Sequence, residues 1–348
     1  MKSIFSIKNL MLLALSAGIL FCLFGGLDYV KSLWLNRVPS NLKNEFIQIP
    51  TGSTFDDVVE ILTQNGIVED AAAFTFLAEK MNYKKPTMRP GRFKIQPGWS
   101  MKQLVGHLRN GEQATVKVVL NNERLLEDVA GKLARFVEAD SMSFIAAFLD
   151  KSRLDSLGFT PETLMTLFIP NTYDMFWTTT PTQFLTRMKK EHDAFWSKNS
   201  RIEKAKAQKL TPTEVYTLAS IVERETNFNP EKPAIAGVYL NRLKIGMKLQ
   251  ADPTAVFATR DFGARRVLQS HTFFDSPFNT YMYAGLPPGP ISMAGIPSID
   301  AVLNPDGHKY LYFCAKADES GTHAFAETLP AHNQNAARFQ AWMRSKGI

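Results

Sequence analysis

Cysteine is nearly absent: this chain of 348 residues carries two, Cys22 and Cys314. Cys22 lies inside an uncharged apolar run, so a disulfide framework is not expected and the redox compartment cannot be read from cysteine usage. The six histidines fall at no metal-ligand spacing, which leaves a metal centre without support in the sequence. Lysine and arginine exceed the acids to give a formal net charge of +7, yet they form no cluster with interleaved aromatics of the kind that reads nucleic acid. That charge suits an anionic surface instead, a membrane or an acidic polymer. A composition 45% hydrophobic and 21% charged excludes the disordered and fibrous classes and, at this length, fits two modest domains or one elaborate one.

One long apolar run is present. Residues 9–27, NLMLLALSAGILFCLFGGL, are preceded by Lys2 and Lys8 and followed by Asp28, Lys31 and Arg37. Roughly 19 residues at a rise of 1.5 Å just cross a hydrocarbon core of about 30 Å. A cleaved signal peptide is the alternative, but no small-x-small site follows the run. Bulky Phe21 before Cys22 also argues against lipoprotein processing. We therefore expect an uncleaved single anchor in the cytoplasmic membrane, with residues 1–37 forming a short cytoplasmic tip, the anchor and a stalk. The positive-inside tendency places the rest of the chain on the extracytoplasmic side.

Residues 45–111 read as two similar halves. FIQIPTGSTFDDVVEILTQNG predicts a strand ending at Ile49, a Pro/Gly turn, Thr54 as N-cap, a helix with Val58, Val59 and Leu62 on one face, and Gly66 as C-cap. RFKIQPGWSMKQLVGHLRNG repeats that order with Ser100 as N-cap and Gly111 at the end. At an offset of 46, Gly52 falls on Gly98, Thr54 on Ser100, Val59 on Val105 and Leu62 on Leu108. This looks like a paired strand-helix module, although strand, turn and capped helix also recur by chance. A further strand, VKVVL, and helices within RLLEDVAGKLARFVE and PTQFLTRMKKEHDAFW follow. Beyond residue 211 polar residues become embedded in aromatic, Gly/Pro-punctuated surroundings, and the chemistry is expected there.

Thr211, Pro212 and Glu214 open a helix: Thr211 caps, Pro212 suits the first turn, and Glu214 completes a capping box. At about 100° per residue, Val215, Leu218, Ala219, Val222 and Thr226 gather on one face. Glu225 lies at the edge of that face beside Leu218, Ile221 and Val222. Glu223 has Ala219 and Ser220 as its neighbours one turn back. The two glutamates are about 200° apart around the axis and cannot share one cleft. A carboxyl held against hydrocarbon has its charged form disfavoured, so its pKa rises toward the range useful to a general acid. Glu225 is the candidate acid, and Glu223 reads as a solvated or ion-paired residue. On these residues alone, Glu225 could equally form a salt bridge or cap a loop.

Other polar groups are candidates for lining a cleft. In QADPTAVFA, Gln250 and Asp252 sit on a turn stiffened by Pro253. In FNTYMYAGLPPGP, Asn279 offers an amide and Tyr281 an aromatic face for a cleft wall. THAF places His323 and Phe325 on one face of an extended segment, and His332 and Asn333 follow. Each also has a plain structural reading, as turn former, rigid corner or core histidine.

ASIVERET, AGVYLNRLKIGMKLQADPTAVFA, DSPFNTYMYAGLPPGPIS and YLYFCAKADESGTHAFAETLPAHN together resemble the endolytic murein transglycosylases of the YceG-like (MltG) family, from the N-terminal anchor to the last residues. The resemblance implies that the second Glu of the E-x-E-T motif, Glu225, is the catalytic acid, with Thr226 orienting it. It implies a LysM-like glycan-binding subdomain over residues 38–114 and a catalytic domain over 115–348, an α+β fold behind a transmembrane helix. It implies cleavage of the MurNAc-β-1,4-GlcNAc bond in nascent peptidoglycan strands and control of where glycan elongation stops. One Glu would protonate the leaving oxygen and then deprotonate the sugar's own C6 hydroxyl, closing a 1,6-anhydro ring with no metal or cofactor. Glycan strands are the implied substrate and peptidoglycan synthases the implied protein partners.

One departure is visible. The family's Phe-Pro-Asp-Thr-Tyr reads FIPNTY here, with Asn171 in place of the acid and Tyr173 retained as a cleft candidate. A possible second carboxylate is thereby removed, which weakens a two-carboxylate hydrolase scheme and leaves the single-Glu scheme intact. A muramidase-type hydrolase using water and a catalytically silent wall-binding scaffold are the rival readings. The intact ASIVERET argues against the scaffold.

Overall fold

The structure, a computed structural model, describes Leu15, Ser16, Ile19 and residues 36–347. The expected anchor at residues 9–27 lies outside the described residues apart from those three. Among the described residues no helix is long and apolar enough to cross a membrane. These residues form fourteen α-helices and three two-stranded sheets, an α+β architecture. They divide into two compact units. One runs up to Val116 and takes in Phe136–Glu138 and Asp174–Thr179; the other comprises Lys117–Arg135, Ala139–Tyr173 and the chain from Thr180.

In the first unit β1 (Phe46–Ile49) leads through α1 (Phe55–Gln64) and α2 (Ala71–Lys80) to β2 (Gly91–Lys94) and α3 (Met101–Asn110). β1 and β2 pair antiparallel, Phe46 opposite Lys94 and Ile49 opposite Gly91. The two halves seen in the sequence share their local construction. Thr54 and Ser100 both close capping boxes, with Asp57 and Gln103 returning the bond, on helices of 10 residues each. Gly52 and Gly98 turn ahead of them at φ 89° and 77°, a region an L side chain enters only with strain. Val58, Leu62, Leu104, Val105 and Leu108 are fully buried in one core with Ile49, Phe74 and Phe93. The intervening helix α2 has no counterpart after β2.

The chain enters the second unit within β3 (Thr115–Leu120) and passes α4 (Leu126–Leu133), α5 (Ser141–Leu149), α6 (Lys151–Leu157) and β4 (Asn171–Phe176), whose residues from Asp174 belong to the first unit, to α7 (Pro181–Ser197) and α8 (Arg201–Ala207). There follow α9 (Pro212–Glu225), α10 (Lys232–Lys244), α11 (Asp252–Thr259), α12 (Gln269–Thr272) and α13 (Ile296–Leu303). A small antiparallel sheet, β5 (Tyr312–Ala315) with β6 (His323–Ala326), and α14 (Leu329–Ser345) complete it.

α9 is the central helix of this unit. Its start is as the sequence predicts: the Thr211 hydroxyl accepts from the Glu214 amide at 3.2 Å, and the Thr211 amide donates to the Glu214 carboxylate at 2.7 Å. Its surroundings are not those of a one-faced surface helix, because every residue from Val215 to Val222 is buried. Polar groups survive there by local pairing. The Tyr216 hydroxyl donates to the Phe168 carbonyl at 2.9 Å, and the Ser220 hydroxyl donates to the Thr217 carbonyl at 2.7 Å while accepting from the Ile291 amide. α13 and α10 pack on α9, and each large apolar side chain buried between them contributes about 1.5–3 kcal/mol.

Candidate active site

Glu225 is the last residue of α9, where the helix leaves the core; Thr226 already has extended backbone. From α10 the buried Tyr239 donates its hydroxyl to Glu225 Oε1 at 2.5 Å. Burial pushes the Glu225 carboxyl up to about 7; Asp252 nearby adds to the rise, and the Tyr239 hydrogen bond and Arg242 oppose it. The negative end of the α9 dipole disfavours a carboxylate in the same sense.

Two clefts meet at this carboxyl. One, of about 420 Å³, is walled by Tyr239, Gln250, Tyr281, Tyr312, His323 and His332 among others. The other, of about 270 Å³, is walled by Arg124, Arg224, Pro253, Phe257 and Phe262. Glu225 and Asp252 line both. A protonatable group thus lies at the junction of two hollows, with open space on either side of it.

The sequence model of the YceG-like family matches residues 47–338. The chain belongs to the YceG-like family. It is 28% identical over 332 residues to an endolytic murein transglycosylase of Bacillus subtilis, covering 90% of each chain. It is 27% identical over 368 residues to an endolytic murein transglycosylase of Streptococcus pneumoniae, covering 96% of this chain and 64% of that one. It also resembles the crystal structure of a YceG-like protein of Listeria monocytogenes, with a TM-score of 0.57 and 28% identity over 83% of this chain and 98% of that one.

Within this YceG-like chain the sequence candidates separate into those at the clefts and those elsewhere. Asp252 and Gln250 are at the larger cleft, but on different local structure than expected: Asp252 is the first residue of α11, and Gln250 precedes it with φ 49°. Asp252 accepts from the Tyr281 hydroxyl at 2.5 Å. Burial pushes the Tyr281 phenol up, and the bond to Asp252 adds to this. His323 reaches the cleft wall with Nδ1 2.7 Å from a Glu231 carboxylate oxygen, so it is already paired. Phe325, its neighbour on β6, packs against Phe313 at 6.1 Å between centroids and does not line either cleft.

Four further candidates line neither cleft. Asn279 is fully buried, its amide donates to the carbonyls of His271, Thr272 and Phe274, and its oxygen accepts from the Tyr281 amide. An amide whose bonds are all taken internally has nothing left for an acetamido group. Thr226 accepts from the Phe228 amide at 3.0 Å and makes no bond to Glu225; Tyr239 is the group that orients the carboxyl. Tyr173 is buried with its hydroxyl on the Ile169 carbonyl. Asn171 is exposed at the start of β4 and bonds its neighbour's amide. The Asp-to-Asn departure at that position therefore takes no carboxylate from the clefts, and the second carboxylate beside Glu225 is Asp252.

Glu223 points elsewhere, as its angle around the helix requires. It pairs with the buried Lys232 at 3.0 Å and accepts from the Gly295 amide and the Ser298 hydroxyl. Burial alone would raise its pKa, but Ser298 and Lys232 together hold it below the ordinary range.

Tyr239, Arg242, Tyr312 and the arginines of the smaller cleft were not singled out in the sequence. Tyr239 and Arg242 stand three apart on α10, so they share one face, and that face was the available signal. Arg242 is buried and donates to the Leu311 and Leu249 carbonyls at 2.6 Å each, which ties α10 to the cleft rim.

Proposed function

We propose that this chain is a peptidoglycan lytic transglycosylase in which Glu225 serves as both acid and base. The observation that carries this reading is the neutral-range carboxyl at the junction of two clefts, gripped on one oxygen by Tyr239. The names of the relatives, endolytic murein transglycosylases, support it. With Oε1 held by the tyrosine, Oε2 is free to present a proton to a glycosidic oxygen in the cleft. As the bond from the anomeric carbon breaks, that proton leaves with the departing hydroxyl. The carboxylate so formed is eased by the Tyr239 hydrogen bond and the Arg242 charge. It then takes the proton of the same sugar's C6 hydroxyl while the C6 oxygen closes on the anomeric carbon, giving a 1,6-anhydro ring and restoring neutral Glu225.

In this reading the bond cut is MurNAc-β-1,4-GlcNAc within nascent strands, so that cutting sets where elongation ends. Residues 9–27 anchor the protein in the cytoplasmic membrane with its catalytic domain outside, residues 38–114 form a LysM-like contact with glycan, and peptidoglycan synthases are the partners. A second reading is favoured by one observation: Asp252 supplies another carboxylate on the same clefts, and glycosidases that use water employ such a pair.

Mass analysis of the fragments released from uncrosslinked strands by residues 38–348 distinguishes them. Anhydro-muramic ends from the wild type, absent with Glu225→Gln, are the expected result. Hydrated reducing ends would replace this mechanism with the hydrolase, and intact strands in both samples would remove the enzymatic reading.

A further inference from the structure

The smaller of the two clefts carries charge that the single-Glu scheme does not use. Arg124 and Arg224 both line it beside Glu225. Arg224, at the end of α9, donates through Nε to the Ser292 hydroxyl at 3.0 Å and through a terminal nitrogen to the Asn122 carbonyl at 3.3 Å. Arg124 lies over the Phe262 ring at 4.4 Å. Neither guanidinium forms a salt bridge among the described residues. Burial and the like charge of Arg124 both disfavour the charged form of Arg224. Of the acids on the same cleft, Glu225 is pushed toward neutrality and Asp252 accepts from Tyr281.

The Arg224 guanidinium is held by two hydrogen bonds, and the backbone beside Arg124 is anchored by its neighbour. Glu123, next to Arg124, is buried, pairs with Lys132, and accepts from the Asn121 and Asn122 amides at 3.0 and 3.2 Å. Its carbonyl accepts from the Met293 amide at 2.8 Å. Two neighbouring guanidiniums that repel one another and lack a carboxylate partner make a site for an anion, which each can meet with N–H donors still unused.

We propose that Arg124 and Arg224 bind a carboxylate carried by the muramic acid next to the scissile bond, and so make the enzyme specific for muramyl glycan over neutral glycan. This rests on the transglycosylase reading of the same site. N-acetylglucosamine units bear no charge, whereas the lactyl ether of muramic acid ends in a carboxylate or in a peptide that bears carboxylates. Every muramic acid whose anomeric carbon reaches Glu225 brings such a group within one sugar of the arginines. A diphosphate at the lipid-linked end would do so only when the terminal sugar is cut, which internal cleavage does not require.

The test measures Kd in the Glu225→Gln background, where no turnover interferes, with and without Arg124→Gln, on three glycans of one backbone. These are peptide-bearing strands, strands stripped of peptide to the free lactyl carboxylate, and N-acetylglucosamine oligomers. Loss of a charge-assisted contact of this kind weakens binding about 10- to 100-fold. That loss is expected on the two muramyl glycans, to shrink at high salt, and to be absent on the neutral oligomers. Arg124→Lys should recover part of it. An equal loss on all three glycans would show that Arg124 only packs the cleft, and no loss on the muramyl glycans would also overturn the proposal. Failure of the transglycosylase reading shows separately, as wild-type protein that leaves no anhydro ends whatever the binding data say.

Discussion

Replacing Glu225 by glutamine should raise the protein's stability in alkali while abolishing its activity, and the size of the gain follows from the site. The folded carboxyl titrates at about 7 against an ordinary value of 4.5. At about 1.4 kcal/mol for each pH unit, the difference amounts to roughly 3 kcal/mol. Folded Glu225 holds its proton more tightly than the unfolded chain does, so its favourable contribution is complete below about pH 4.5 and is lost as the pH rises through about 7. Glutamine keeps an oxygen to accept from Tyr239 and does not titrate. Wild type minus Glu225→Gln, measured by urea melts from pH 4.5 to 8.5, should therefore fall by up to about 3 kcal/mol. In a unit of this size that corresponds to a relative change in Tm of roughly 6–12 °C. The subtraction cancels every other titrating group. The same proton sets the rate: kcat/KM of the wild type should fall about tenfold per pH unit above about 7. A stability difference flat across this range, or activity that climbs through pH 7, would refute the assignment of Glu225 as a buried acid.

Tyr239→Phe removes the hydroxyl that lowers the Glu225 pKa and holds Oε1; kcat should drop at least about tenfold and the alkaline limb of the pH profile should move upward. Asp252→Asn removes a charge that raises the Glu225 pKa, so that limb should move downward, with anhydro ends retained in the products; loss of all cleavage would favour Asp252 as a base. Lys232→Met strips the Glu223 carboxylate of its buried partner and should cost about 3 kcal/mol in a denaturant melt, with KM of the folded fraction unchanged. Asn279→Ala orphans three carbonyls and should destabilise by about 2–3 kcal/mol, again without a change in KM, whereas an acetamido-binding residue would show a KM effect at full stability.

Much of the local construction was legible because it is made of short-range bonds. Thr54, Ser100 and Thr211 cap their helices through partners three residues on, and a bond that short is encoded in four consecutive residues. The angular separation of Glu223 and Glu225 is likewise a property of the helix alone, and the two side chains do reach different partners. The face-based argument for α9 was less apt, because a helix buried from Val215 to Val222 has no single apolar face. What distinguishes Glu225 is its place at the end of that buried stretch. Asn279 looked functional as an amide among aromatics, and Thr226 and Tyr173 through the family resemblance, yet each is bonded internally. Polarity within an apolar segment indicates a partner without saying whether that partner is the protein or a substrate.

The sequence by itself determined the family resemblance along the chain, and the helix caps, the halves of the small unit and the one carboxyl aimed at hydrocarbon, which are each set by short-range spacing. Only the tertiary structure decided what surrounds that carboxyl. Tyr239 and Arg242 come from α10, Asp252 from the start of α11, Tyr281 from a loop, Tyr312, His323 and His332 from the C-terminal segment, and Arg124 from about a hundred residues upstream. A pKa near 7 is the sum of burial and charge at one point in space. The groups that supply it are scattered along the chain and meet only when the core around α9 closes.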